Sequence, residues 1–119
     1  MKKELNKEDF DALENGMSMF VEYLGDSPYI RVLDFLLTGQ MFDYSMTEVA
    51  RGAHVGWGTF TKIWAYLFER KMIVPTREVG NAKLFTLNRE NPIVKKLIQL
   101  DWELMKLAPI DEGEIKVVN

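Results

Sequence analysis

Cysteine is absent from this 119-residue sequence, and histidine occurs once, at His54. Without cysteine the chain can form no disulfide framework, no thiolate metal site and no cysteine nucleophile. A single histidine also removes the usual zinc ligand sets and the common pairs of base and nucleophile. We therefore predict a protein that is not an enzyme, has no catalytic residues and binds no metal or other cofactor.

Long apolar runs are absent as well. No segment approaches the roughly 18 to 20 consecutive apolar residues that a membrane-spanning helix needs. The N-terminal stretch MKKELNKEDF places no apolar segment behind its lysines, unlike a secretory signal. We expect a cytoplasmic protein without a membrane partner, built as one domain with helical extensions.

Two patterns that resemble enzyme motifs are weak. The segment Gly56-Trp57-Gly58 lacks the third glycine of a dinucleotide fingerprint and does not follow a predicted strand. The N-terminal carboxylates Glu8, Asp9, Asp11 and Glu14 occupy solvent-facing positions of a predicted helix, without a base or metal-binding partner. Neither pattern supports catalysis.

Positive charge is scarce overall but is concentrated in the middle of the chain. The formal net charge is −3, which counts against a nucleic-acid partner. Residues 1–44 have four Lys/Arg against nine Asp/Glu, residues 45–97 have nine against four, and residues 98–119 have two against five. Local potential governs docking, so the middle segment is the candidate nucleic-acid surface. An ordinary solvated basic face is the alternative.

Helical periodicity and cap signals predict five helices. They cover residues 5–25, Pro28–Thr38, a short stretch after Ser45, residues 57–71 and Pro92–Leu107. Asn6 is the predicted N-cap of the first helix, and Asn15-Gly16 favours a kink or break within it. Ser45 and Glu48 have the spacing of a capping box. Between the last two helices, residues 73–79 and 83–87 read as strands around a Gly80-Asn81 turn, with Pro75 requiring an edge strand.

The order helix, short helix, turn, helix and hairpin is that of a winged helix-turn-helix. Residues 46–94 (MTEVARGAHVGWGTFTKIWAYLFERKMIVPTREVGNAKLFTLNRENPIV) resemble winged-helix transcription regulators of the archaeal and bacterial MarR/ArsR-like group. The motifs that carry the resemblance are Glu48-Val49-Ala50, His54-Val55-Gly56, Thr59-Phe60 through Trp64 to Leu67, Met72-Ile73-Val74 and Leu84-Phe85-Thr86-Leu87-Asn88. The fold class that the resemblance implies is mainly α with a small β wing (α+β), with flanking N- and C-terminal helices.

The resemblance also implies a division of the chain. Residues 1–25 form an N-terminal helix that is a candidate for dimerisation, and residues 26–90 form the winged helix-turn-helix DNA-binding domain. Residues 91–108 form a C-terminal dimerisation helix, and residues 109–119 are a flexible acidic tail.

The start of the reader helix, residues 57–71, departs from the family pattern. Gly56-Trp57-Gly58 stands where the family usually has a capping serine or threonine followed by a polar residue. Gly56 is still an acceptable N-cap, and Gly58 lets the helix start approach a phosphate closely. The alternative interpretation of Trp57 is that it only covers the turn.

Candidate DNA contacts follow from the predicted inward side of the reader helix, which comprises Phe60, Ile63, Trp64, Leu67 and Phe68. Thr61 and Lys62 are the best candidates for base contacts, whereas Tyr66 suits a phosphate. The complete set of candidates is Arg51, Trp57, Thr59, Thr61, Lys62, Tyr66, Arg77, Asn81 and Lys83. For each of them, an ordinary exposed surface residue is the competing interpretation.

The last helix has an apolar stripe with spacings of 4, 3, 4 and 3 residues, which is typical of a short coiled coil. Its members are Ile93, Leu97, Leu100, Leu104 and Leu107, and Val94, Ile98, Trp102 and Met105 widen it. The stripe packs either on the first helix of the same chain or on a second copy. Resemblance to dimeric regulators favours the homodimer.

These observations predict a homodimeric transcriptional regulator that binds double-stranded DNA sequence-specifically. The alternative is a winged-helix module that binds a protein and no DNA. A small-molecule effector has no specific support: Met17, Phe20, Trp64 or Trp102 could line a pocket, but such residues are core more often than sensor. The operator, the regulated genes, and activation or repression leave no signal in the sequence.

Overall fold

The computed structural model describes residues 18–107. Within this range five helices and three short strands follow one another along the chain. They are α1 (Met19–Leu24), α2 (Pro28–Thr38), β1 (Tyr44–Ser45), α3 (Met46–Gly52), α4 (Trp57–Glu69), β2 (Ile73–Val79), β3 (Ala82–Leu87) and α5 (Pro92–Leu107). The predicted fold class, mainly α with a small β wing, is confirmed. Across the same range, no helix is long and apolar enough to cross a membrane.

Four of the five described helices begin at residues whose side chains can accept orphan backbone N–H groups. The Oγ atoms of Ser18, Ser27 and Ser45 each accept a backbone N–H at 3.2 Å, at the starts of α1, α2 and α3. The Glu48 carboxylate accepts the Ser45 N–H at 2.8 Å, which completes the predicted capping box. At the start of α5, the Asn91 Oδ1 accepts two backbone N–H groups.

The first predicted helix, residues 5–25, is not continuous. Ser18 has an extended backbone (φ −80°, ψ 169°) and caps a helix that begins at Met19. Ser18 is thus a non-helical residue inside the range predicted as helix, three residues after Asn15. Asn15, Gly16 and the predicted Asn6 cap lie outside the described residues. Gly25 ends α1 as expected, and its φ of 99° favours a residue without Cβ.

The sheet has the strand order β1-β3-β2, with antiparallel pairing throughout. β2 is an edge strand, as Pro75 requires, and β3 begins one residue earlier than predicted, at Ala82. β1 was not predicted from the sequence, because two residues are too short for an alternating pattern. Tyr44 and Ser45 pair with Phe85 and Leu84 and so attach the wing to the helical part.

The core lies between α2, α3, α4, the hairpin and α5. Phe60, Trp64 and Leu67 of α4 are buried, as predicted, and Ile63 is half-buried. Phe68 was predicted inward, but it is 53% exposed because it lies one residue past the buried stripe. α4 also ends at Glu69, before the predicted Lys71, which takes a positive φ of 59° and turns the chain into β2.

The predicted stripe of α5 divides between two environments. Leu104 is buried in the core of the same chain, and Leu97 packs against that core. Ile93, Leu100 and Leu107 are 59%, 37% and 56% exposed. The assignment of Leu104 to a subunit contact is therefore wrong: α5 packs on α1 and α2, and this packing uses one side of the stripe.

Candidate nucleic-acid interface

The turn between α3 and α4 is anchored by an arginine that the sequence analysis did not single out. The Arg31 Nε donates to the Ala53 carbonyl at 2.9 Å, and its Nη2 donates to the His54 carbonyl at 3.1 Å. His54 has a positive φ of 58°, so the chain reverses tightly there. Asp26 in turn accepts a hydrogen bond from the Arg31 Nη1 at 2.8 Å. Arg31 thereby ties α2 to the turn between the two helices of the helix-turn-helix.

The burial of Phe60, Trp64 and Leu67 sets which side of α4 faces solvent. Lys62 and Thr59 are exposed on that side. Thr61 is half-buried, and its Oγ1 donates to the Gly58 carbonyl at 3.0 Å. Because this bond uses the hydroxyl proton, Thr61 can offer a base only an acceptor in this arrangement. Lys62 and Thr59 are better placed than Thr61 for base contacts.

Trp57 is both packed and accessible. Its ring stacks on Phe60 with centroids 5.5 Å apart, yet the residue is 53% exposed. It lines a groove of about 620 Å³ between the start of α4 and the wing, together with Asn81 and Lys83. No side chain caps α4, and a Cβ added at Gly56 would meet no atom within 4 Å. The first turn of α4 is therefore open for an incoming group.

The wing presents its two predicted cations on opposite faces. Lys83 pairs with Glu78 across the hairpin, whereas Arg77 pairs with Leu84. Cross-strand partners share a face and successive residues alternate, so Lys83 and Arg77 point to opposite sides. Lys83 faces the groove that Trp57 lines. Arg77 faces a different cavity of about 540 Å³, on the far side of the sheet.

Arg77 is not a free cation. Its Nε donates to the Asp43 Oδ2 at 2.9 Å and its Nη2 donates to the Oδ1 at 3.1 Å, while the Thr76 Oγ1 donates to the Oδ2 at 2.6 Å. The hydrogen bonds from Arg77 and then Thr76 lower the pKa of Asp43 to about 2. Asp43 likewise raises the pKa of Arg77. Asp43 was not predicted as the partner of Arg77, because 34 residues separate the two side chains.

The remaining candidates lie at the edges of this surface. Arg51 is exposed in the last turn of α3. Tyr66 is exposed on α4, and the Arg70 guanidinium lies 3.7 Å from the centroid of its ring. Arg70 was not predicted from the sequence, but it adds a cation beside Tyr66. Within residues 18–107 no group of three or more His, Asp or Glu side chains has the arrangement of a metal site.

A separate cavity of about 520 Å³ lies between α1, α2 and α5. Phe20 and Trp102 line it, as the sequence analysis suggested for a pocket. Trp64 is instead packed edge-on against Phe85 in the core, with centroids 5.4 Å apart. Met17 lies outside the described residues.

An arginine-anchored turn, an open-ended reader helix and a hairpin wing define a winged helix-turn-helix protein. Solved transcription regulators share this fold. MepR, a transcription regulator of the Staphylococcus aureus multidrug efflux pump MepA, is 13% identical with a TM-score of 0.54, over 92% of this chain and 85% of that chain. The adhesin competence repressor AdcR of Streptococcus pyogenes is 17% identical with a TM-score of 0.52, over 94% and 88%. The PcaV regulator of Streptomyces coelicolor is 18% identical with a TM-score of 0.50, over 95% and 90%.

At these identities the likeness establishes the fold, and the predicted resemblance to winged-helix regulators is confirmed at that level. No family model matches the sequence. No curated protein matches it either.

Proposed function

We propose that this protein binds duplex DNA as a cytoplasmic transcriptional regulator, with α4 in the major groove and the wing on the adjacent backbone. One observation carries the proposal: the open start of α4 and the Lys83 face of the wing line the same groove. A helix N-terminus favours anions because its backbone N–H groups are unpaired. Residues 45–97 contain nine Lys/Arg and four Asp/Glu, and this excess of positive charge supports a polyanionic partner.

We assign the contacts by position on this surface. Lys62 and Thr59 reach base edges, since both project from the exposed side of α4. Lys83, Arg51 and Tyr66 contact phosphates around them. Thr61 and Asn81 contribute weaker polar contacts, and Trp57 closes the groove between α4 and the wing.

We propose further that the regulator is a homodimer, with DNA contacts in residues 26–90 and the subunit contact in residues 91–108. The support is the line of exposed apolar side chains on α5, where Ile93, Leu100 and Leu107 recur every seven residues. Leu24 of α1 extends this line, because it borders the same cavity as Ile93. Two copies would present two reader helices to two half-sites. Two further predictions concern residues outside those described. They are a role in dimerisation for residues 1–17 and a mobile tail at residues 109–119.

A salt titration of DNA binding tests the proposal. Fluorescence anisotropy with a random-sequence duplex should show log affinity falling linearly with log salt concentration, with a slope of about −0.9 for each phosphate contact. Lys83→Gln should make the slope shallower by about 1 for every sequence. Lys96→Gln removes the same charge from an exposed position on α5 and should leave the slope unchanged.

Base contacts require a selected duplex. Lys62→Gln should lose affinity for a selected site more than for random sequence, by on the order of 1 to 3 kcal/mol if the contact to a base is well formed. Wild-type protein that binds neither duplex at low salt would rule out the proposal.

A protein-binding module is the second candidate. The observation that favours it is aromatic exposure on α4, where Trp57, Tyr66 and Phe68 are each 53% exposed. Aromatic residues are enriched in protein contacts. If DNA binding is absent, α4 becomes the element to test with protein partners, and Trp57→Ala should then weaken the interaction.

A further inference from the structure

The segment that joins α2 to β1, residues 39–43, is tied to the wing and its exit at three points. The Gln40 carbonyl accepts from the Arg89 Nη2 at 2.6 Å, and the Phe42 carbonyl accepts from the Thr86 Oγ1 at 3.1 Å. The third tie is the Asp43 carboxylate, which holds the edge strand β2. We call Asp43, Thr76 and Arg77 the wing clip.

The clip depends on an irregularity in the hairpin. Pro75 pairs with Phe85 and Arg77 pairs with Leu84, so Thr76 is an extra residue in β2, as in a β-bulge. In a regular strand, neighbouring side chains point to opposite faces. The bulge instead lets Thr76 and Arg77 reach the same carboxylate. Pro75 fits beside such an irregularity because it has no N–H to donate to the ladder.

The clip connects β2 to Asp43, and β2 has few other contacts that hold it. β2 pairs only with β3 among the described strands, so its other edge is open. Asp43 uses both oxygens, and the two Arg77 bonds run in the fork-shaped geometry that fixes direction as well as distance. The Asp43 side chain is 17% exposed, whereas that of Arg77 is 64% exposed. The hairpin is thus held against the helical part of the molecule on the side away from Lys83.

We propose that Asp43 is a positioning residue for the wing, and that Arg77 acts through Asp43 instead of contacting DNA. This inference rests on the proposed function, in which Lys83 on the other face meets the phosphate backbone. A fixed hairpin angle keeps Lys83 and the start of α4 on a common surface.

The sign of one effect distinguishes positioning from direct contact. Removal of an acid near DNA ordinarily strengthens binding, because repulsion of the phosphates decreases. If Asp43 positions the wing, Asp43→Asn should weaken DNA binding. We expect a loss of affinity of at least about twofold, because Asp43 and Arg77 are in direct contact and residues in contact are energetically coupled. Arg77→Gln should weaken binding by a similar factor, and the double variant should be no worse than either single variant.

Hydrogen exchange provides a readout that does not depend on DNA. The amides of β2 should exchange faster in Asp43→Asn, in Asp43→Ala and in Arg77→Gln than in wild type. Glu103→Gln is the matched control, since it breaks the Lys106–Glu103 ion pair of 3.2 Å on α5 without touching the wing. Thermal unfolding of each variant shows that exchange is compared between folded proteins.

Three outcomes overturn the inference. The first is unchanged β2 exchange in all three variants. The second is tighter DNA binding by Asp43→Asn, and the third is a salt slope shallower by about 1 in Arg77→Gln with normal exchange, which would mark Arg77 as a phosphate contact. Failure of the wild-type protein to bind DNA would instead reject the proposed function, while faster β2 exchange would still support the clip as the hairpin's anchor.

Discussion

Asp34 and Asp101 are the charged side chains that are buried within residues 18–107, at 8% and 7% exposure. Both line the cavity between α1, α2 and α5. Burial raises the pKa of both carboxyls, and the charge of Asp34 raises the pKa of Asp101 further. A hydrogen bond of 2.6 Å from the Ser18 Oγ lowers the pKa of Asp34, but less than burial raises it. Ionisation of this pair therefore opposes folding.

The first prediction concerns the pH dependence of stability. A carboxyl whose pKa is raised in the folded state stabilises the fold fully below its unfolded value of about 4, and this contribution is lost as pH rises through the folded pKa. The free energy of unfolding of wild type should thus decrease above about pH 4 from this source. Asp101→Asn should flatten that decrease and raise the melting temperature at pH 7 by on the order of a few degrees.

Thermal unfolding from pH 4 to pH 8 checks this prediction. Glu90→Gln, at an exposed position, is the control and should follow the wild-type profile. A less stable Asp101→Asn at pH 7 would contradict the prediction, because it would mean that the ionised carboxylate has a stabilising partner.

The second prediction concerns Asp43, whose pKa is shifted in the opposite direction. Its lowered pKa of about 2 means that the clip is fully present above about pH 4 and is lost as pH falls through 2. In Arg77→Gln the pKa of Asp43 should rise toward the usual 3.8, because the largest cause of the shift is removed. Carboxyl ¹³C NMR titration measures this directly. An unchanged titration midpoint would show that Arg77 does not hold Asp43 in solution.

At the scale of elements, the starts of α2, α3 and α5 were predictable from sequence because caps act locally. Ser27, Ser45 and Asn91 bond to N–H groups two or three residues ahead, and a sequence pattern contains both partners. Tertiary features were not predictable in this way. β1 exists because β3 supplies its hydrogen bonds, and the burial of Leu104 depends on which neighbour covers α5.

The candidate site shows the same limit. The exposed positions of α4 follow from helical periodicity, so Thr59, Lys62 and Tyr66 were predicted in exposed positions that the structure also gives them. The roles of Arg31 and Arg77 depend on partners in other elements, which composition and spacing do not encode.

The third prediction tests the uncapped start of α4. Gly56 has φ −64° and ψ 151°, the extended conformation of an N-cap, with open space around an added Cβ. Gly56→Ser should add a side-chain cap and reduce the entropy of the unfolded chain, so it should raise the free energy of unfolding by a few tenths to about 1 kcal/mol. Gly80→Ser should lower it, because Gly80 has φ 63°. Urea unfolding of both variants provides the comparison, and a destabilised Gly56→Ser would contradict the proposed cap geometry.

At the scale of the whole molecule, α5 has two separate tasks. On one side of α5, Val94 and Leu104 are buried in the core of their own chain. Ile93, Leu100 and Leu107 leave an exposed apolar line with the seven-residue period of a coiled-coil position. A helix with two such sides can close its own domain and also meet a second copy. Loss of the first task would unfold the protein, whereas loss of the second would change only its assembly.

The fourth prediction separates these tasks. Wild-type protein at tens of micromolar should scatter light as a dimer, and Ile93→Glu combined with Leu100→Glu should be a folded monomer, because two charges cannot be buried unpaired in the contact. Gln99→Glu is the control: it adds a charge one residue from Leu100 on an exposed side of α5 and should remain a dimer.

Leu104→Ala should instead lose about 2 to 5 kcal/mol of stability, as expected for a buried leucine. The monomeric variant should bind a duplex with two half-sites more weakly, since its two reader helices are no longer linked. A monomeric wild type, or a dimer that survives both glutamates, would refute the proposed subunit contact.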